Sequence, residues 1–397
     1  MSSDTAPDRR FRRFLSARFS AQMAAQMQVT AVAWQIYDLT GDPIALGLVG
    51  LAQFATAIPL MPFAGQLADR IERRRILIAC YAVFAATMAA LIAAPHLAGP
   101  WLIYAIVAVF GAARVFEAPA ANALLPNLVP LGAIKRAVAL FSSANKTATI
   151  AGPALGGFLY ALGPEAVYGT ALLLLAFAVV CMIEIGPTGT PAGEAGSDSP
   201  SPWGGLVFIG RQRMILAAMS LDLVAVVFAA AAGLLPVFAK DILEVGPWGL
   251  GLLRSAPATG GLLLGLMLAR RPIERHAGPI LLAMIAIYGL ATIAFGLSTS
   301  FPLSLALLAV MGAADQVSVV IRNSLLQILT PDALRGRVSA AYNLFTNMSN
   351  QMGIFEAGIA AAWFGPVAAV VAGGTIAFAT AASWAVLFPS LRRLDRL

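Results

Sequence analysis

The sequence predicts an all-α membrane protein with twelve transmembrane helices in two pseudo-symmetric six-helix bundles. Three observations lead to this fold class. Hydrophobic residues make up 59% of the 397 residues and charged residues only 11%, whereas soluble domains carry about 25% charged residues. The apolar residues form twelve runs near the length of about 20 residues that a membrane-spanning helix needs. The second six runs also repeat features of the first six.

The predicted spans follow these runs in order, and turn-forming residues separate them. Gly and Pro stand at the joints, for example in Gly41-Asp42-Pro43 and Gly163-Pro164, because both residues punctuate regular structure. The expected spans are 14–38, 44–68, 76–95, 101–125, 137–162, 166–186, 214–239, 248–269, 278–298, 302–328, 338–362 and 366–389.

The distribution of basic residues predicts the orientation of the spans. Most of the 26 lysines and arginines fall on the side of the N-terminus, in clusters such as Arg70–Arg75, and Lys240 alone falls on the other side. Because cytoplasmic loops carry an excess of Lys and Arg, we expect both termini in the cytoplasm and a multi-pass protein of the cell (inner) membrane. Arg9–Arg13 are expected in a leader, because no small-residue cleavage site of a signal peptide follows them.

A polar segment divides the chain near its middle. The stretch from Pro187 to Trp203 is rich in Gly, Pro and Ser, which is typical of a flexible linker. The predicted organisation is a cytoplasmic leader at 1–13, an N-terminal bundle at 14–186, a cytoplasmic linker at 187–213, a C-terminal bundle at 214–389 and a cytoplasmic tail at 390–397.

The two sides of the linker resemble each other at an offset of 201 residues. GAARVFEAPAANALLPNLVP, from Gly111, aligns without gaps with GAADQVSVVIRNSLLQILTP, from Gly312, and Gly152 aligns with Gly353. Chance similarity between Ala- and Leu-rich helices explains the Ala and Leu matches but not the Gly, Asn and Pro matches. A parallel repeat of six-helix halves is an architecture of transporters, with the substrate site near the midplane.

Several other classes of protein are excluded. Cys80 and Cys181 lie within apolar runs, and His96 and His276 lie far apart, so neither a disulfide framework nor a metal site is expected. No nucleotide-binding loop or Ser-His-Asp set is present, so we expect no cofactor, no catalytic residues and no enzyme. A sensor would need a soluble output domain. The net charge of +7 lies in short interhelical clusters, and nucleic acid is not an expected partner.

A charged motif follows the second span. GQLADRIERRR places Gly65 four residues before Asp69, followed by Arg70 and Arg74. This loop resembles the signature of the major facilitator superfamily, although Glu72 replaces the usual second glycine. The resemblance implies a cytoplasmic gate, in which the carboxylate engages arginines and a helix N-terminus. The alternative is a solvated loop that only sets topology.

Two further motifs narrow the resemblance. The fifth span contains a helix-bend motif that is similar to the GPxxGG signature of the superfamily's exporters, and it consists of Gly152, Pro153, Gly156 and Gly157. WQIYDLTG from Trp34, PAANALLPNLV from Pro119 and RGRV from Arg335 resemble the enterobactin-exporter and macrolide-efflux branch. The branch often has an acidic residue early in its first span, where this chain has Gln22 and Gln26.

The resemblance implies a secondary-active exporter of small amphipathic molecules, drug-like or siderophore-like, that exchanges them for protons by alternating access. Its partners are then the substrate, protons and the lipid bilayer, and a monomer is expected. An importer, or a lipid or nutrient carrier of the same fold, is the alternative.

Charged residues within spans cost about 2.5–3.5 kcal/mol each on the insertion scale, so they are candidate functional residues. Arg114 and Glu117 are three residues apart and are expected to neutralise each other. Asp315 lies one repeat from Arg114, and we hypothesise that these two face each other across the central cavity. Arg254 and Arg322 are expected to snorkel toward the interfaces. The proton-coupling candidates are Asp315, Arg114, Glu117, Glu356 and Asp222.

Polar residues recur at helical spacing along the first and eleventh spans. Lipid cannot satisfy their hydrogen bonds, so they are expected to face protein or water. Hydrogen bonds between helices are the simpler explanation for part of this set. The predicted substrate cavity contains Gln22, Gln26, Thr30, Gln53, Asn145, Lys146, Asn343, Asn347, Asn350 and Gln351.

Overall fold

The computed structural model describes residues 9–97, 99–187, 208–271, 273, 275–331 and 334–395. Most of the predicted linker lies outside the described residues. Within the described ranges the chain forms twelve long helices, which we number α1 to α12. They are α1 Arg9–Thr40, α2 Pro43–Arg70, α3 Arg73–Leu97, α4 Pro100–Leu124, α5 Ile134–Tyr160, α6 Pro164–Glu184, α7 Arg213–Phe228, α8 Gly246–Arg270, α9 Ala277–Leu297, α10 Phe301–Leu329, α11 Arg335–Phe364 and α12 Pro366–Leu387.

Nine stretches of the described chain are helical, long and apolar enough to cross a membrane. The helices α1, α5 and α11 have 32, 27 and 30 residues but are not among the nine. These three carry most of the polar residues that the sequence assigns to a substrate cavity. The chain is therefore a multi-pass membrane protein, and its least apolar helices are those with the predicted polar sites.

The helices pack into two compact units. One unit contains the described parts of 1–40 and 52–198, and the other contains those of 41–51 and 199–397. In the first unit α1 packs against α5 and α6, and α3 packs against α4 and α6. In the second unit α7 packs against α11 and α12, and α9 packs against α10 and α12. The two units therefore use the same four helix pairings, as a parallel repeat requires.

Glycines at equivalent positions allow the first and fifth helices of each unit to approach closely. A Cβ added at Gly152 of α5 would lie 2.5 Å from Gln26 Cβ of α1. A Cβ added at Gly353 of α11 would lie 2.8 Å from the Val226 carbonyl oxygen of α7. Both separations are shorter than packed heavy atoms tolerate. Gly152 and Gly353, which align at the repeat offset of 201 residues, therefore make the same kind of contact in both units.

Gly–Pro joints begin the sixth helix of each unit. Gly163 and Gly365 have φ angles of 115° and 84°, which favour glycine. Pro164 and Pro366 follow as the first helical residues, where a missing N–H costs no hydrogen bond. The turn signals in the sequence are thereby confirmed as helix boundaries.

Two boundaries differ from expectation. The helix α1 begins at Arg9, inside the predicted leader. The predicted span at 214–239 lies within one of the nine apolar stretches, Arg213–Ile242, but its helix is interrupted, because α7 ends at Phe228. Short 3-10, α and π turns continue the chain to Ile242. Pro236 lies at the start of the short helical turn Leu235–Val237, where its missing N–H costs no hydrogen bond. The Tyr288 hydroxyl donates to the carbonyl of Ala229 at the break, over 3.3 Å.

Candidate functional site

A buried charge cluster lies in the second unit. Asp222 of α7 forms an ion pair with Arg322 of α10, whose side chain is only 2% exposed. Asp315 lies two helical turns before Arg322, and its Oδ1 is 3.7 Å from Arg322 Nη2. The Asp315 side chain is 48% exposed. The guanidinium carbon also lies 5.9 Å from the ring centroid of Tyr342 on α11. We call Asp222, Arg322 and Asp315 the second-unit charge cluster.

The first unit contains a related pair. Arg18 of α1 forms an ion pair with Glu117 of α4, and both side chains are buried. The guanidinium carbon of Arg18 lies 5.7 Å from the ring centroid of Phe141 on α5. Arg114 of α4 is near enough to Arg18 for the two cations to repel each other. We call Arg18, Glu117 and Arg114 the first-unit charge cluster.

The two clusters lie on corresponding helices of the two units, with the charges exchanged. Each ion pair joins the first and fourth helices of its unit, but the arginine is on the first helix in one unit and on the fourth in the other. The aromatic rings under the arginines, Phe141 and Tyr342, differ by the repeat offset of 201 residues. Isolated buried charges are strongly disfavoured, so paired carboxylates are needed at both places.

These contacts correct two expectations and add two findings. The carboxylate partner of Glu117 is Arg18, not Arg114. Arg322 does not snorkel, because its side chain is buried against Asp222. Arg18, which was not among the predicted site residues, belongs to a buried ion pair. Asp315 lies near a cation of its own unit, Arg322. The hypothesis that Asp315 faces Arg114 did not include this contact.

The sequence contains a signal for one of these pairs. Asp315 and Arg322 are seven residues apart, which places them on the same face of α10. Such a spacing favours a shared environment over independent snorkelling. No comparable signal identifies Arg18, because it follows the Arg9–Arg13 cluster so closely.

The polar row on α11 is exposed. Asn343, Asn347 and Asn350 have exposed side chains. The Asn347 and Asn350 side chains donate to carbonyls one turn earlier on α11, at 2.8 and 2.9 Å. The Asn347 and Asn350 amides therefore form hydrogen bonds within their own helix. Together with Asn343 they form an exposed polar strip on α11. Gln351 beside them is half-buried.

The predicted cavity residues of the first unit lie on α1, α2 and α5. Gln22 and Gln26 of α1 are half-buried, and the hydroxyl of Thr30 donates to the Gln26 carbonyl at 3.1 Å. Gln53 and Asn145 are half-buried, and Lys146 is exposed. The Asn145 side-chain oxygen is buried without a hydrogen-bond partner among the described residues.

A polar residue on α1 was missed by the sequence analysis. The amide of Gln28 is fully buried, and neither of its polar atoms has a hydrogen-bond partner in the described part of the chain. Gln28 lies between Gln26 and Thr30, two predicted cavity residues of α1, and this position was a weak indication that Gln28 also contributes to a polar site.

The first residues of α3 bind the ends of two other helices. Arg73 donates to the Ala123 carbonyl at the end of α4, over 2.8 Å. Arg74 donates to the Ile183 carbonyl at the end of α6, over 3.2 Å. Both arginines thereby satisfy carbonyls that lack a partner at a helix C-terminus.

Glu72, which replaces the second glycine of the family motif, has a structural role. Glu72 is buried and forms ion pairs with Arg74 and Arg75. The surroundings of Gly65 and of the Asp69 side chain lie outside what the structure describes, and Arg70 is exposed at the end of α2. The gate assigned to these residues stays a prediction.

The helix-bend motif of α5 faces α1. Gly152, Pro153, Gly156 and Gly157 are all buried. A Cβ added at Gly156 would lie 3.0 Å from the Cα atom of Met27. The motif therefore allows close approach of α5 to α1.

Glu356, the remaining proton-coupling candidate, is half-buried on α11. It lines a small pocket with Phe228, Ala229 and Leu234 at the interruption after α7. It is not part of either charge cluster.

Two repeated six-helix units with polar and charged residues inside membrane-spanning helices define a membrane transporter, not an enzyme. The chain belongs to the Major Facilitator Superfamily, whose family model matches residues 14–354.

Proteins similar to this chain include members of the branch that the sequence motifs resemble. The enterobactin exporter EntS of Shigella dysenteriae is 26% identical over 376 residues, which cover 92% of this chain and 88% of the relative. Macrolide efflux protein A of Streptococcus pyogenes is 27% identical over 134 residues, which cover 33% of each chain. The crystal structure of a mutant of the nucleoside transporter NupG has a TM-score of 0.77 at 14% identity. The match covers 96% of this chain and 100% of that chain, and it shows that the fold is shared.

Proposed function

We propose that the protein exports small amphipathic molecules, drug-like or siderophore-like, in exchange for protons. The exposed amides of Asn343, Asn347 and Asn350 carry this proposal. Amides facing lipid would lose the hydrogen bonds that water provides. A polar strip on a membrane helix therefore suits a wet substrate path, and amides suit neutral or weakly charged cargo.

The relatives support the direction of transport. The similar proteins include an enterobactin exporter and a macrolide efflux protein. The helix-bend motif of α5 agrees with export. In the proposed arrangement the protein is a monomer of the inner membrane, both termini are cytoplasmic, and Gly65, Asp69, Arg70 and Arg74 form a cytoplasmic gate.

The proposal is tested by efflux from a host that lacks its own major pumps. Expression of the protein is expected to lower the accumulation of at least one of a panel of dyes, macrolides and catechol siderophores, and a protonophore should abolish the effect. A matched pair of variants locates the path. Asn347→Ala should impair efflux of the transported compound, whereas Ser16→Ala, at an exposed position near the start of α1, should not. Efflux that resists the protonophore would contradict proton exchange.

An importer, or a lipid or nutrient carrier, of the same fold is the second candidate. Inside-out vesicles separate the two directions, because an exporter accumulates its cargo in them when they are energised and an importer does not.

A further inference from the structure

Glu356 is an acidic residue without a counter-charge in a predicted span. It is half-buried on α11, about two turns before the helix ends at Phe364. It forms no ion pair or side-chain hydrogen bond with any residue that the structure describes. A charged side chain within a span is costly unless it is paired. A ligand from outside the chain is therefore a candidate partner for this carboxylate.

The pocket that Glu356 lines contains few kinds of polar group. The other eight lining residues are Ala, Val, Leu or Phe, and they come from the end of α7 and the interruption after it, from α11 and from α12. The polar groups at this place are therefore the Glu356 carboxylate and the backbone. No basic side chain of the described residues lines the pocket, so the chain itself supplies no cation there. The pocket has space for about one water-sized particle.

The interruption after α7 leaves backbone carbonyls without their helical partners. The Ala231 N–H donates to the Ala229 carbonyl at 2.8 Å, instead of to the last turn of α7. The carbonyls of residues 226–228 receive none of the backbone hydrogen bonds that the described residues after α7 donate. These carbonyls lie against Gly353 of α11 and Gly373 of α12, which have no side chains to cover them. The last of the three residues also lines the pocket, so its carbonyl is available to a ligand there.

The end of α7 and the Glu356 carboxylate place charges of the same sign at one pocket. The C-terminus of a helix carries about half a negative elementary charge, and the carboxylate adds a full one. Unwound carbonyls and helix C-termini coordinate Na⁺ in transporters with broken helices, and oxygen atoms are the ligands that hard cations prefer. One monovalent cation neutralises one carboxylate, whereas a divalent cation would leave a net charge within the membrane. The favoured ligand is therefore a small monovalent cation.

We propose that this pocket is a Na⁺ site. The Glu356 carboxylate and the carbonyl of Phe228 at the end of α7 are its ligands from the chain, and water completes the coordination shell. Bound Na⁺ joins α11 to the interruption after α7, because one ion contacts both. The inference goes beyond the proposed function, since an exporter driven by protons alone would still bind Na⁺ at this place.

Direct binding of radioactively labelled Na⁺ to the purified full-length protein in lipid nanodiscs tests this proposal. The pH is held constant, and choline chloride keeps the ionic strength equal in all samples. The wild-type protein is expected to bind Na⁺ saturably, and unlabelled Na⁺ should displace the label whereas choline should not. Because bound Na⁺ stabilises the folded state, the melting temperature should also be higher in NaCl than in choline chloride.

Three variants assign the binding to Glu356. Glu356→Gln should lose saturable Na⁺ binding and the dependence of the melting temperature on Na⁺, because an uncharged amide replaces the carboxylate. Glu356→Asp should bind Na⁺ more weakly, since its carboxylate is one methylene further from the carbonyls. Glu244→Gln removes an exposed carboxylate beyond the interruption of α7, and this matched control should bind Na⁺ as the wild type does. Thermal unfolding checks that each variant folds.

Three results would overturn the proposal. They are a wild-type protein that binds no Na⁺ saturably, undiminished binding in a folded Glu356→Gln, or an equal loss of binding in Glu244→Gln. If Glu356→Gln does not fold, unchanged affinity in Glu356→Asp would have the same meaning. The outcome is separate from that of the efflux test. Na⁺ binding without efflux would leave the cation site and remove the exporter, and efflux without Na⁺ binding would do the reverse.

Discussion

Two buried arginines have closely similar surroundings in the two units. Arg18 and Arg322 each contact a carboxylate on another helix and each lie over an aromatic ring on the fifth helix of their unit. A buried guanidinium keeps its charge, so it requires a nearby anion. The ring face provides a second favourable contact for the cation. Each arginine therefore ties three helices of its unit together.

Removing one residue of the Arg18–Glu117 ion pair is expected to destabilise the protein more than replacing both. Glu117→Gln should lower the free energy of unfolding by about 3–5 kcal/mol, because Arg18 is left as a buried charge without a partner. The double variant Arg18→Met with Glu117→Leu should recover most of that loss, since it removes both charges. Thermal and denaturant unfolding in detergent measure the difference. Equal losses in the single and double variants would contradict the proposed cause.

At the scale of the helix, small residues decide how closely the elements pack. The Gly152 and Gly353 contacts bring the first and fifth helices of each unit together. Arg73 and Arg74, at the start of α3, donate hydrogen bonds to carbonyls at the ends of α4 and α6. The first kind of contact was visible in the sequence as an aligned glycine pair. The second was not, because a basic loop in a membrane protein reads first as a determinant of topology.

Adding one methyl group at these glycines should destabilise the protein. Gly152→Ala and Gly353→Ala are each expected to cost about 1–3 kcal/mol, because the added Cβ requires a helix to move. Gly169→Ala on α6 is the control, since no atom lies within 4 Å of its added Cβ. It should be neutral or stabilise by about 0.5–1 kcal/mol through helix propensity. Melting temperatures of the purified variants give the comparison, and a loss in the control equal to that in Gly353→Ala would argue against the contact.

At the scale of the whole molecule, the internal repeat relates helix pairings, glycine contacts and charge clusters. The repeat does not conserve the charges. The buried arginine is on the first helix of the first unit but on the fourth helix of the second unit, and the carboxylate is on the other helix of each pair. The two units therefore share a backbone arrangement but differ in their electrostatics.

The proposed orientation is open to labelling in whole cells. In a background where Cys80 and Cys181 are replaced by alanine, Ser197→Cys in the linker should react with a membrane-impermeant maleimide only after permeabilisation. Glu244→Cys, at an exposed position beyond the interruption of α7, should react in intact cells. The positive-inside rule is the reason, since the basic loops are expected in the cytoplasm. Labelling of Ser197→Cys in intact cells would contradict the topology.

The sequence by itself determined the number of membrane helices, the internal repeat, the Gly–Pro boundaries and the family, because hydrophobic length, glycine register and turn residues act locally along the chain. It also identified Asp222, Asp315 and Glu117 as costly charges that need partners. Only the tertiary structure decided that those partners are Arg322 and Arg18, and that α7 is interrupted after Phe228. The physical reason is that a long arginine side chain reaches across several helices. The charge that it meets depends on how the helices are rotated and packed, and the spacing of residues along one helix does not contain that information.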